Sequence, residues 1–278
     1  MSPRLLRPRT GGFHPEAADW RTRVIANGGA APSTTTMKAV SDFCKSIDSS
    51  GLRSLLWRVN PMAGSDLSSA LVPLYRSNTA LGLQGDATDT NSNFVSGDYV
   101  ATSGLIGNGS SKRLSTGLPL NFTANRHLGV FVHTLPTNTF RAYIGARGAT
   151  TFAGLFSIDG GGPTTNCSTT NYTDASAAGG TATFTHAGGD FVLGTHGSGA
   201  GTAIAFVNGV QSGTGIGNAA GSITTGISVF SVINSAGTAA NFTNARIGGY
   251  SIGDNLSGAQ SLAYYNIWDT LVRALGRK

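Results

Sequence analysis

The sequence predicts a mainly β protein, built as an antiparallel sandwich or barrel, with helices confined to the two ends of the chain. Three observations carry that prediction. Glycine accounts for 40 of the 278 residues, about double its ~7% average usage, and it supplies the positive φ angles that hairpin turns need. Charged residues make up only 12%, about half the ~25% of an ordinary soluble domain, while 40% of the chain is hydrophobic, too much for a disordered polypeptide. Short strand-like runs recur between Gly/Asn/Thr turns from residue 129 to residue 252, the pattern of all-β folds.

Residues 1–12 read as a basic arm. Arg4, Arg7 and Arg9 stand there without an acid, and Pro3 and Pro8 favour extended backbone. A first helix opens at Pro15, a good first helical residue, places Ala17, Trp20 and Val24 on one stripe, and closes at Gly28-Gly29. A second helix runs from about Ser33 to Ser50. Met37, Val40, Cys44 and Ile47 share its apolar face, and Gly51 followed by Leu52 predicts a Schellman ending. Leu55–Val59 and Leu67–Leu74 are apolar runs, the first stopped by Asn60-Pro61.

Strands are predicted at Gly129–His133, Phe140–Gly145, Thr151–Ile158, Thr181–His186, Asp190–Thr195, Thr202–Val207, Ile227–Ile233 and Arg246–Ile252. Asn208-Gly209, between Ala205-Phe-Val207 and Val210, is a strong hairpin signal. At the C-terminus Ser257 and Gln260 form a capping box. Tyr264, Ile267, Trp268, Leu271, Val272 and Leu275 follow helical spacing, and Gly276 ends the helix. No internal repeat is visible. The chain therefore divides into residues 1–76, a basic arm and helical leader suited to attachment; residues 77–253, the sandwich; and residues 254–278, a helix packing on the leader or the sandwich.

The net charge is +6, but it is concentrated in the arm and not arranged as a basic stripe with interleaved aromatics, so direct nucleic-acid binding is not expected. The two cysteines, Cys44 and Cys167, form neither a disulfide framework nor a metal-type spacing. The start of the chain lacks the apolar core of a signal peptide and no run of 18 apolar residues occurs, so neither secretion nor membrane insertion is expected. The sequons at Asn108, Asn121, Asn171 and Asn241 then carry no weight.

Three stretches together resemble a known group. Residues 19–76, from Asp19-Trp20 through Ala26-Asn-Gly-Gly29, Phe43-Cys44 and Gly51-Leu52 to Ala70-Leu-Val-Pro-Leu-Tyr75, resemble the leader of phage and prophage virion proteins that carry a concanavalin A-like (laminin-G-like) domain. Gly104-Leu-Ile-Gly-Asn-Gly109 with Lys112–Leu118 resembles the opening strands of that domain. Ala205-Phe-Val-Asn-Gly-Val210 resembles its hairpin, and Ile247-Gly-Gly-Tyr-Ser-Ile252 its closing strand. The resemblance implies a jelly-roll sandwich used for attachment, decoration or host contact.

Glycan hydrolases also use this sandwich, and they need two carboxylates flanking the scissile bond. The only glutamate, Glu16, lies in the first helix, and Asp159, Asp174 and Asp190 are scattered. His14, His127, His133, His186 and His196 show no metal-type pairing, no Gly-x-Ser-x-Gly elbow occurs, and Gly160-Gly-Gly162 lacks the Lys-Ser/Thr of a phosphate loop. Asp89-Thr-Asn91-Ser-Asn93 is the one calcium-like pattern, but Phe94 and Val100 occupy positions where a calcium loop needs Gly and Glu. No catalytic residue, metal or cofactor is expected. Tyr172, Phe94 and Tyr99, set among Asn and Asp, are the aromatics suited to stacking on a sugar.

The expectation is a non-enzymatic structural component of a virion, made in the host cytoplasm. It is attached to other virion proteins through Arg4, Arg7 and Arg9, and copies of itself are further expected partners. The alternative is a carbohydrate-binding module recognising host-surface glycans.

Overall fold

A computed structural model describes residues 12–76, 88–119, 126–137, 139–147, 151–157, 164–173, 181–196, 202–216, 226–234 and 236–278. Among the described residues there are four α-helices: α1 (Pro15–Ala26), α2 (Thr34–Ser49), the single turn α3 (Leu67–Ala70) and α4 (Gly258–Ala274). The ends of the long helices are set locally. Ser33 Oγ accepts from Thr36 N at the start of α2. Ser257 and Gln260 exchange the two bonds of the predicted capping box at α4. All three long helices end in Schellman geometry. At α2, Gly51 (φ 68°) donates to Asp48 O and Leu52 to Ile47 O, and the same pattern recurs at Gly28 and Gly276.

The strands are β1 (Leu56–Asn60), β2 (Thr90–Ser92), β3 (Tyr99–Val100), β4 (Gly104–Ile106), β5 (Arg113–Pro119) and β6 (Arg126–Thr134). They continue with β7 (Arg141–Arg147), β8 (Thr151–Ser157), β9 (Thr164–Thr173), β10 (Thr181–Ala187), β11 (Asp190–His196) and β12 (Thr202–Val207). The last are β13 (Val210–Ile216), β14 (Gly226–Val229), β15 (Val232–Ile233), β16 (Ala239–Ala240) and β17 (Arg246–Gly253). One antiparallel sheet has the order β13-β12-β11-β6-β17-β4-β3, with β1 sharing the β4 edge of β17. The second has the order β10-β9-β8-β7-β14-β5-β2, and β15 and β16 form a small hairpin. The chain crosses repeatedly from one sheet to the other, the path of a jelly-roll sandwich.

Side-chain alternation divides the first sheet between two cores. Val130, Val132 and Val192 face the second sheet and meet Leu114, Tyr143, Leu155 and Ile227. Their neighbours Phe131, Phe191 and Leu193 face the other way, onto Trp20, Val40, Phe43, Tyr264 and Trp268. The helices thus form a third layer that closes the outer face of that sheet. Trp268 is its centre: the ring stacks on Phe191 at 5.2 Å and meets the edge of Phe43 at 5.7 Å. It lies so close to β17 that a Cβ at Gly249 would sit 2.7 Å from the indole, and a Cβ at Gly248 would sit 2.7 Å from the Phe131 ring, which together explain the Gly-Gly pair inside a strand.

Two differences from the sequence reading have physical causes. The predicted strand Ile227–Ile233 breaks at Phe230, which turns left-handed (φ 72°) and inserts its buried ring edge-on against Phe94 at 5.0 Å. β9 was not predicted. Its Thr/Asn/Ser run lacks apolar alternation, yet it pairs along its length with β8 and β10. Asn208-Gly209 does form the predicted tight turn, with φ 51° and 76° joining β12 to β13.

Candidate functional site

Most chemically suggestive residues of the sequence are spent on structure. Asp89 is 1% exposed and forms no calcium loop with Asn91 and Asn93. Its Oδ1 accepts from Arg58 Nη2 (2.7 Å) and Tyr250 Oη (2.6 Å), and its Oδ2 from Asn60 Nδ2 (2.7 Å). Burial opposes the Arg58 charge, but the surrounding Tyr250 and Asp89 hold its pKa above the ordinary arginine value. Burial, then the Asp89 charge, pushes the Tyr250 hydroxyl well up, so it stays a donor. Phe94 and Tyr99 are core residues, 4% and 7% exposed, which removes them as sugar platforms. Tyr99 Oη donates instead to Met62 O and Gly64 O. Tyr172 lies in β9 opposite Phe152, not in a loop.

Among the described residues the acids and histidines form no catalytic or metal-type cluster. Glu16 pairs with Arg53 at 2.8 Å. Asp190 ties two hairpins together by accepting from Ala187 N and Asn208 Nδ2. His14 caps α1 and meets Asp48 at 2.9 Å. His127 Nδ1 donates to Asp254 O, while Nε2 accepts from Ser251 Oγ, which in turn accepts from Tyr264 Oη. Burial pushes His127 down to about 4. Burial and then the Arg126 charge push His196 to about 3. Among the described residues no group of three or more His, Cys, Asp or Glu is placed to hold a metal ion, and no helix is long and apolar enough to cross a membrane. Arg4, Arg7, Arg9, Asp159, Asp174 and Gly160–Gly162 lie outside the described residues.

A polar groove of about 510 Å³ opens at the β2 edge of the second sheet, within the ~300–1,000 Å³ range of ligand sites. It is lined by Asn91, Ser92, Asn93, Ser110, Ser111, Arg113, Ala239 and Phe242. Three segments distant in sequence build it, and each is pinned. Asn91 closes its own loop through Phe94 N and O, both at 2.9 Å. Asn108 Oδ1 accepts from the backbone N–H groups of Ser110, Ser111 and Lys112. Asn93, in the left-handed region (φ 68°), bridges the first two segments through Nδ2 to Ser111 O at 3.0 Å. The third segment is held on either side of Phe242: Ala142 N donates to Asn241 O, and Gly109 N to Thr243 O.

These bonds, with Asn108 Nδ2 donating to Ser111 Oγ at 2.9 Å, consume the Asn91 and Asn108 amides. They leave the Asn93 carbonyl oxygen and the hydroxyls of Ser92 and Ser110 without a protein partner among the described residues, beside a half-exposed Phe242 ring. Arg113 stands opposite Ser92 across the β2–β5 ladder. Alternation with the buried Leu114 turns it away from the core, toward the groove. Sequence reasoning singled out Asn91 and Asn93, but for a cation. Ser92, Ser110, Ser111, Arg113 and Phe242 carried no local signal.

No family model matches the chain, and neither does any curated protein. Among solved structures it is similar to the CBM40 module of the Ruminococcus gnavus IT-sialidase bound to α2,3-sialyllactose. The identity is 14%, covering 50% of this chain and 82% of that one, with a TM-score of 0.38. It is also similar to domain 4 of AbnA, a GH43 extracellular arabinanase of Geobacillus stearothermophilus in complex with arabinotriose. There the identity is 14%, the coverage 57% and 74%, and the TM-score 0.36. The receptor-binding domain of botulinum neurotoxin type G aligns at 11% identity over 59% of this chain and 41% of that one, with a TM-score of 0.40. Similarity at this level transfers neither a site nor a ligand.

Proposed function

We propose that the chain is a non-catalytic glycan-binding sandwich that takes a saccharide in the groove between Asn93, Ser110, Arg113 and Phe242. One observation carries this reading: unspent hydroxyl and amide groups stand around an accessible aromatic ring on a backbone already fixed by Asn91, Asn93 and Asn108. Sugars present hydroxyl edges and apolar C–H faces, and that combination matches both. A pre-fixed frame also lowers the entropy lost on binding. Among the described residues the groove lining contains no carboxylate, whereas glycoside hydrolysis requires an acid pair.

The test is a glycan array followed by calorimetry, with Phe242→Ala and Ser110→Ala as variants. Loss of the stacking face should weaken binding by about tenfold or more, the equivalent of ~1.4 kcal/mol. Binding by wild type that both variants leave intact places the site elsewhere. Carriage of this module on a virion, through Arg4, Arg7 and Arg9, is a further part of the proposal and rests on the sequence resemblance of residues 19–76. Deleting residues 1–12 should abolish incorporation into particles without moving the melting temperature; undiminished incorporation rejects arm-mediated attachment.

A further inference from the structure

Resting on the glycan-binding reading, we infer that the groove selects an acidic saccharide, whose carboxylate is received by Arg113. The guanidinium Nη1 of Arg113 is buried and has no hydrogen-bond partner. Buried arginine donors are ordinarily paired, because an unmade bond to a charged group is costly. Nearby charge does not meet this need. The adjacent Lys112 is bound to Asp98, and that carboxylate also accepts from Val95 N. Among the described residues that line the groove none is an acid, and Arg113 is the only charged one. The site therefore carries one uncompensated positive charge beside neutral hydrogen-bonding groups.

Ligand chemistry follows from shape and charge together. A guanidinium edge is a planar fork that fits the two oxygens of a carboxylate in parallel. Ser92 lies directly across the ladder from Arg113, and its hydroxyl and that of Ser110 supply further neutral donors. The Asn93 carbonyl oxygen is an acceptor suited to a sugar hydroxyl, and Phe242 offers the ring face. A neutral sugar would leave the Arg113 donor buried and unmatched, so the groove discriminates against it.

The probes are uronic-acid oligosaccharides, their methyl esters of identical skeleton, and sulfated oligosaccharides without carboxylate, measured by calorimetry against the full chain. The acid should bind about tenfold or more tightly than its ester, the value of one charge-assisted hydrogen bond. Arg113→Gln should erase that difference while leaving ester binding in place, and Arg113→Lys should recover only part of it, since the charge returns without the fork. Acid and ester bound equally well would overturn the inference and leave the glycan reading standing. Preference for the sulfated probe over the acid would overturn the carboxylate assignment. Binding to none of the probes or array glycans would reject both. The wild-type comparison decides the question even if an Arg113 variant misfolds.

Discussion

Arg277, the penultimate residue, offers the sharpest test of how the helical layer is fastened to the sandwich. It follows the Schellman turn of α4 and is 4% exposed. Its guanidinium is surrounded by backbone carbonyls and has no carboxylate among its partners. Nε donates to Ala101 O (2.9 Å), Nη1 to Pro61 O (2.6 Å) and Gly248 O, and Nη2 to Met62 O (2.7 Å). One side chain thereby joins α4 to the β1–α3 loop, the β3–β4 turn and β17. Burial lowers its pKa from the ordinary arginine value, partly countered by Tyr99.

Replacing it by methionine keeps the apolar stem and removes every donor. Each bond from a charged donor contributes about 1.5–3 kcal/mol, while relief of the buried charge returns several kcal/mol. The net loss from four bonds is therefore about 3 kcal/mol, or about 6 °C in melting temperature at ~2 °C per kcal/mol for a chain of this size. Lys278→Ala is the control: its partly exposed bridge to Asp269 (2.9 Å) should contribute less than about 1 kcal/mol. Thermal and urea unfolding followed by near-UV circular dichroism measures both. A shift for Arg277→Met no larger than that for Lys278→Ala would refute the fastening role.

Two further outcomes are expected. His127 and His196 are held down at about 4 and about 3 in the fold, below the ordinary ~6.5 of the unfolded chain. The unfolded state therefore binds more protons as the pH drops. Stability should be fully present above pH ~6.5 and decline toward pH ~4, by up to about 1.4 kcal/mol per pH unit for each histidine. Urea midpoints that do not change between pH 6.5 and 4.5 would contradict this, and His127→Asn should flatten the slope. Asp89→Ala should cost about 3–5 kcal/mol, because Arg58 and the Tyr250 hydroxyl remain buried after their shared carboxylate is gone. Asp89→Asn should cost less, and equal urea midpoints for Asp89→Ala and wild type would exclude the network as a stabilising element.

The sequence by itself determined the features whose causes lie within a few residues. Ser33, Ser257 with Gln260, and the glycines at 28, 51 and 276 set helix ends through bonds spanning three to five residues. Asn208-Gly209 set a hairpin because both residues accept positive φ. Gly129–His133 and Asp190–Thr195 were legible as strands, although only the structure showed that both of their faces are covered, one of them by the helices. Tertiary structure alone decided the rest. Phe94 and Tyr99 looked like loop aromatics and became core. Asp89 looked like a cation ligand, yet its charge is met by the buried Arg58 and it accepts a further bond from a tyrosine 161 positions away. The Thr-rich β9 has no pattern of its own and is a strand because β8 and β10 supply its partners. The groove brings residues 91–93, 110–113 and 239–242 onto one edge. What a polar side chain does depends on which neighbours remain to satisfy it, and those neighbours arrive from distant parts of the chain.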